Sequence, residues 1–229
     1  MGAFIILFAV IFGGGLLYFL FNKRNDFILK LTLSFSGAYL LGITVTHLIP
    51  EVYSSDAEHI GVYILAGFIF QILLEFFSEG IEHGHIHVHS KHSGIFPFTM
   101  MFSLCIHSFF EGIPMADVSQ RQSLMMGIAM HHIPVAFALM SMLMQSGIDK
   151  KWALFSLFLF SAMSPVGAFT GIYLGDWLVN GLFEKVMAVV IGIFLHISTT
   201  ILFESDSDHR FNIIKLGIII SGAGLSLLV

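Results

Sequence analysis

Two short stretches hold the side chains whose types and spacing suit chemistry. In HSFFEGIPMA (107–116), His107 and Glu111 stand four residues apart, and in MHHIPVAFAL (130–139), His131 and His132 are adjacent. On a helix, residues i and i+4 share a face, so an imidazole and a carboxylate would lie side by side. Imidazole nitrogen with carboxylate oxygen suits a borderline divalent cation, since zinc takes such ligands, usually four, in tetrahedral geometry. Iron, cobalt, nickel and copper also accept imidazole, so ligand type alone leaves the ion open.

The surroundings make these groups costly. The 229 residues are 56% hydrophobic and 11% charged, with a mean hydropathy of +0.89, whereas an ordinary soluble domain is about a quarter charged. Runs without Asp, Glu, Lys or Arg cover 2–22, 31–50, 93–110, 122–148 and 152–175. About 20 apolar residues cross a hydrocarbon core of about 30 Å, so the composition indicates an integral membrane protein. An ionisable group inside such a span costs about 2.5–3.5 kcal/mol on insertion scales and is a functional hypothesis by default. The run 2–22 reads as a first span and not as a cleaved leader. It lacks a basic start, exceeds an h-region, and is followed by Lys23 and Arg24. The net charge of −5 says little about partners, and no nucleic-acid partner is expected. Cys105 is the single cysteine, so no disulfide framework exists.

Eight helices must position the polar groups: roughly 2–21, 28–50, 60–82, 96–116, 123–146, 152–175, 181–203 and 211–229. The expected fold class is an all-α membrane protein, one transmembrane transport domain over 1–229. Apolar residues run continuously instead of alternating, which disfavours strands. Lys23, Arg24, Lys30, Lys91, Lys150, Lys151, Arg210 and Lys215 mark one side, against Arg121 and Lys185 on the other. The positive-inside rule makes the first side cytoplasmic, with both termini on the non-cytoplasmic side. THLIPE (46–51) ends span two outside and TTILFE (199–204) ends span seven inside. This weak match fits inverted three-helix repeats flanking spans four and five, a transporter habit.

Counting residues brings the polar groups to one level. His107 lies ten residues after Pro97, roughly 15 Å into the membrane. The turn DVSQRQ (117–122) is the midpoint between residues 107 and 131, so His107 and His131 match in depth on antiparallel neighbours. His132 points about 100° around its helix from His131. Pro114 and Pro134 each follow a polar group by three residues. Each should kink its helix and free a carbonyl one turn earlier, which lipid tolerates only beside protein or a wet cavity. His47 and Glu51 at the outer end of span two, Glu75 toward the inner end of span three, and His196 within span seven could line a pathway. The third connector, HGHIHVHSKH, carries His83, His85, His87, His89 and His92, a composition for loose cytoplasmic metal capture over 83–92.

These residues resemble the ZIP (Zrt/Irt-like) metal transporters. HSFFEGIPMA is similar to their fourth-helix His-Ser/Asn-x-x-Glu/Asp-Gly pattern, and HHIPVAFAL to their fifth-helix His-x-Ile-Pro-x-x-x-Ala. HLIPE, the His-rich third connector and SPVGA (164–168) are also similar, so the likeness covers the whole chain. The resemblance implies a ZIP-like bundle that takes up Zn²⁺, or Fe²⁺, Mn²⁺ or Cd²⁺, into the cytoplasm, often as a homodimer. It implies a metal centre between helices four and five. His107, Glu111 and His131 match the primary site, Ser108 and His132 match a neighbouring second site, and Tyr39 lies where some relatives offer a further ligand. Two carboxylates of the family pattern are missing, with Val135 after the Ile-Pro of helix five and Ser164 before the Pro of helix six. One good site of His107, Glu111 and His131, completed by His132 or water, and a weak second one are therefore expected, with poor binding of Mg²⁺ or Ca²⁺.

The function expected is a divalent metal cation transporter, working by alternating access in a plasma (inner) membrane, and not an enzyme. The alternative is a multispanning membrane metal-dependent hydrolase using Ser103, His107 and Glu111, which share a helical face. The chain contains neither HExxH nor a GxSxG elbow.

Overall fold

Lipid offers no hydrogen bonds, so an apolar chain must satisfy its backbone within its own helices. The computed structural model describes residues 2–21, 26–78, 80–81, 96–117, 121–177, 181–204 and 213–228, and no strand occurs among them. The α-helices are α1 (Gly2–Leu16), α2 (Asp26–Ile43), α3 (Ile49–Tyr53), α4 (Ile60–Ser78), α5 (Phe98–Gly112), α6 (Arg121–Gln145), α7 (Lys150–Trp177), α8 (Leu182–Glu204) and α9 (Ile213–Ser226). A π-helical turn, Thr44–Leu48, joins α2 to α3, so the described helices form the eight rods read from the sequence.

Prolines shape three of the rods differently. Pro50 lacks an N–H and crowds the carbonyl one turn back, and the widened π turn directly precedes it. Here the Thr44 and Thr46 hydroxyls donate to the Leu40 and Gly42 carbonyls, each at 2.7 Å. At Pro114 the α-helix gives way to a 3₁₀ segment, Ile113–Ala116. Pro134, by contrast, lies inside α6, which continues through it, so the kink and freed carbonyl expected there do not end the helix. Among the described residues, six helices are long and apolar enough to cross a membrane: Gly2–Phe19, Phe27–Tyr53, Ile60–Ser78, Arg121–Gln145, Lys150–Tyr173 and Leu182–Phe203. The rod containing α5 is interrupted at Pro114, and α9 has 14 described residues.

The most extensive pairings are α4 with α8, α2 with α9, α5 with α7, and α1 with α6. If α1, α2–α3 and α4 repeat as α7, α8 and α9, the α4–α8 pair is the counterpart of α9–α2, and α1–α6 the counterpart of α7–α5. These four pairings match an inverted three-helix repeat, whereas the α4–α5 packing has no comparable α6–α9 counterpart among the described residues. The centre of the packing is α6, where Gly127, Ile128, His131, His132, Val135, Ala136, Ala138 and Leu139 are all buried. Lipid-facing side chains such as Phe76, Phe98, Phe102 and Phe203 are exposed, as they would be without a bilayer around them.

Close approach of α5 to α7 depends on glycines. A methyl on Gly112 would run into the Ser164 carbonyl, and one on Gly167 into the Phe109 carbonyl. Small residues at crossing points let helix backbones touch, the usual way helices associate in lipid. The consequence for the site is direct: α5 is pressed so close to α7 that Ser108 reaches Ser164.

Candidate metal centre

Four buried side chains from two antiparallel helices converge. His107 and Glu111 come from α5, His131 and His132 from α6, and each offers one ligand atom within 4.8 Å of all the others. All four residues are fully buried. Nε2 of His132 lies 2.6 Å from Oε2 of Glu111, and Nε2 of His107 lies 3.4 Å from Oε1. The imidazole centroids are 5.5 to 6.1 Å apart. Bonds to zinc of about 2.0–2.2 Å put the ligands of one tetrahedral ion about 3.4 Å apart. Rotamer adjustment of about an ångström would close the set onto one ion. Three imidazoles and one carboxylate are four donors, the number that such an ion takes.

His132 joins the four-residue cluster. The family resemblance implies a neighbouring second position for it, with a place in the main set left open, and adjacent helical residues diverge by about 100°. The cluster lies between the two directions, so His131 and His132 both reach it, and Glu111 bridges His132 and His107. Ser108 lies behind His132 and outside the four-residue cluster. Its Oγ is 2.9 Å from Oγ of Ser164 and donates to the Phe160 carbonyl at 3.3 Å. Ser164 in turn is 3.2 Å from Nδ1 of His132. The Phe160 ring meets the same imidazole at 5.1 Å between centroids. At the position of a missing carboxylate, Ser164 orients a histidine from its far side, and Val135 packs in the apolar core.

Gln71 of α4 has no counterpart in the sequence reading. Its Oε1 lies 3.2 Å from Nδ1 of His107, and the residue is fully buried. The sequence did hold a signal, a lone amide in the apolar run VYILAGFIFQILLEFF in which only Glu75 is charged. Nothing in one-dimensional spacing ties position 71 to position 107.

The remaining expected residues are dispersed. Tyr39 donates its hydroxyl to the Ser123 carbonyl at 3.3 Å, about 12 Å along α6 from His131, so it does not join the cluster. His47 sits in the π turn, with Nδ1 2.8 Å from the Thr46 hydroxyl. Glu51, one turn on, lies close to Asp117 at the end of the 3₁₀ segment. Glu75 and His196 pair at 3.4 Å, with Phe68 edge-on to the imidazole. The pair lies one helical turn beyond Gln71, about 6 Å toward the Ser78 end of α4. Ser103 of the hydrolase alternative gives its hydroxyl to the Leu74 carbonyl instead of to His107. The tract with His83, His85, His87, His89 and His92 lies outside the described residues.

Known proteins resemble this chain over part of its length. A sequence model of the family described as ZIP Zinc transporter matches residues 83–229 and so contains all four cluster residues. Protein zntD of Dictyostelium discoideum is 28% identical over 150 residues, 58% of this chain and 22% of that protein. Zinc transporter ZIP1 of Danio rerio is 29% identical over 127 residues, 52% of this chain and 42% of the relative. Zinc transporter ZIP2 of Homo sapiens is 31% identical over 94 residues, 39% and 30% of the two chains. The aligned part thus spans less than half the length of each of these relatives. Apolar helices of spanning length and a family match over well over half of the sequence lead to one conclusion: this integral membrane protein belongs to the ZIP zinc transporter family.

Proposed function

We propose that the protein carries zinc across its membrane through a site made of His107, Glu111, His131 and His132. The carrying observation is the convergence of four fully buried donors from α5 and α6 within 4.8 Å. A buried cluster of this kind is expensive unless something uses it, and the three relatives include two named zinc transporters. Iron, manganese and cadmium remain competing substrates on ligand chemistry alone.

The route follows the order of polar groups along the bundle. The ion enters past His47 and Glu51 on the outer side, sheds water, and is held by the four donors. Glu111 supplies the one formal negative charge among them, and the imidazoles supply neutral nitrogen. A movement of α5 and α6 against the other helices then opens the inner side, where Glu75, His196 and the His-rich tract 83–92 receive the ion. Transport is inward, the unit is a homodimer, and the whole described chain acts as a single transport domain in the plasma (inner) membrane with both termini outside. Ser108 belongs to the support of His132, and Tyr39 to the packing of α2 on α6.

Imidazole and carboxylate must be deprotonated to hold metal, so protons and metal compete at the site. The test is ⁶⁵Zn²⁺ uptake into proteoliposomes by wild type, His107→Ala and Glu111→Gln. The substitutions should abolish saturable uptake, and uptake equal to wild type in either variant sinks the assignment.

A further inference from the structure

Gln71 is a fully buried amide whose carbonyl oxygen faces a candidate ligand. Its Nε2 has no hydrogen-bond partner among the described residues. A buried amide with half its capacity unused is costly, so its contact with His107 must be worth keeping. An amide oxygen only accepts, so a hydrogen bond to it requires Nδ1 of His107 to carry the proton. The ring then turns Nε2, with its lone pair, toward Glu111, His131 and His132. Metal-ligating histidines depend on such a partner on the second nitrogen, which fixes tautomer and orientation.

The backbone around Gln71 is arranged to hold that contact. Four residues before His107, Ser103 donates to the Leu74 carbonyl of α4. Two polar contacts about one turn apart therefore fix the register of α5 against α4. On its other side, α4 packs closely on α8, where Gly67 meets the Val189 carbonyl and Gly192 meets that of Ile64. Gln71 is thus carried by an element that contributes no ligand to the cluster.

We propose that Gln71 is a positioning residue of the metal centre, holding His107 so that Nε2 faces the ion. This rests on the assignment of His107 as a ligand. A neutral amide supports the imidazole less strongly than a carboxylate would. The residue therefore also sets how tightly the ion is held and how readily it leaves.

The experiment compares wild type, Gln71→Met, Gln71→Glu and His107→Ala in nanodiscs. Zinc affinity is read by chelator competition, uptake by KM and Vmax in proteoliposomes, and folding by thermal melting. Methionine keeps the shape and removes the acceptor. It should weaken zinc binding by about 10–100-fold, the range seen for lost outer-shell partners, and raise KM more than it lowers Vmax. Glutamate restores an acceptor of greater basicity, and should return KM to wild type or below while lowering Vmax through slower release. In ¹⁵N-histidine NMR of the metal-loaded protein, the His107 signal, assigned by its loss in His107→Ala, should show a protonated Nδ1. Unchanged affinity in Gln71→Met, equal losses in both Gln71 variants, or an unprotonated Nδ1 overturns the positioning role while leaving the centre intact. Wild-type affinity in His107→Ala overturns the ligand assignment itself.

Discussion

Glu111 is the single carboxylate within the four-donor cluster, and this composition decides which ions compete. Mg²⁺ holds its water and takes six oxygens, and Ca²⁺ takes six to eight, whereas the cluster offers three imidazoles. A tenfold excess of Mg²⁺ or Ca²⁺ should leave zinc uptake unchanged, while Cd²⁺ should compete, as measured by isotope uptake in proteoliposomes. Ser164 holds Nδ1 of His132 at 3.2 Å, and a neutral hydrogen bond contributes about 0.5–1.5 kcal/mol net. Ser164→Ala should therefore weaken zinc binding by about 2–12-fold and leave transport measurable, in contrast to the loss expected for Glu111→Gln. A total loss in Ser164→Ala would mean that Ser164 meets the ion directly. His107, Glu111 and His131 were legible in the sequence because charge inside an apolar run is conspicuous and their depths can be counted. His132 was read at the same depth, but its place in the main set was left open, because a 100° step says where a backbone points and not where a ring ends. Gln71 and the orienting function of Ser164 depend on neighbours 36 and 32 residues away, which spacing along one helix cannot reveal.

Helix α5 brings His107 and Glu111 to α6 while resting on α7, and its seat on α7 is set by missing side chains. Gly112 is next to Glu111, and a methyl there meets the Ser164 backbone. Overpacking of a close contact costs about 1–3 kcal/mol. Gly112→Ala should lower the melting temperature in detergent and weaken zinc binding together, because the shift it forces moves both Glu111 and Ser164. Gly217→Ala in α9, where a methyl meets nothing within 4 Å, is the matched control and should change neither. If both variants melt alike, the α5–α7 approach is looser than the structure indicates. Hydropathy made the eight rods legible, since continuous apolar runs bounded by charge admit few other readings. It could not tell which prolines break a helix. Pro50 follows a π turn and Pro114 lies in a 3₁₀ segment, while the α6 assignment continues through Pro134. Proline imposes the same local restraint at all three positions, so its presence alone does not set the outcome.

Across the whole molecule, the lysine and arginine bias and the order of polar groups must agree if transport runs inward. Spans read as α1 through α9 place the turn after α3 on the outer side, with His47 and Glu51 just beneath it, and the α6–α7 turn on the inner side, next to Lys150 and Lys151. In that orientation the Glu75–His196 pair would fall on the inner side of the centre, since α4 leads away from the α3 turn. Two exposed positions report on this directly: Ser54 beside the α3 turn and Lys151 at the start of α7. With Cys105 replaced by serine the chain has no other cysteine, so Ser54→Cys and Lys151→Cys each give one label site. In intact cells a membrane-impermeant maleimide should modify Ser54→Cys and spare Lys151→Cys, and after permeabilisation it should modify both. The reverse pattern would invert the bundle, and with the same order of residues the ion would meet Glu75 and His196 first and leave past His47 and Glu51. The positive-inside assignment and the inward direction would then fall together, even if the four-donor centre survived every test made on it.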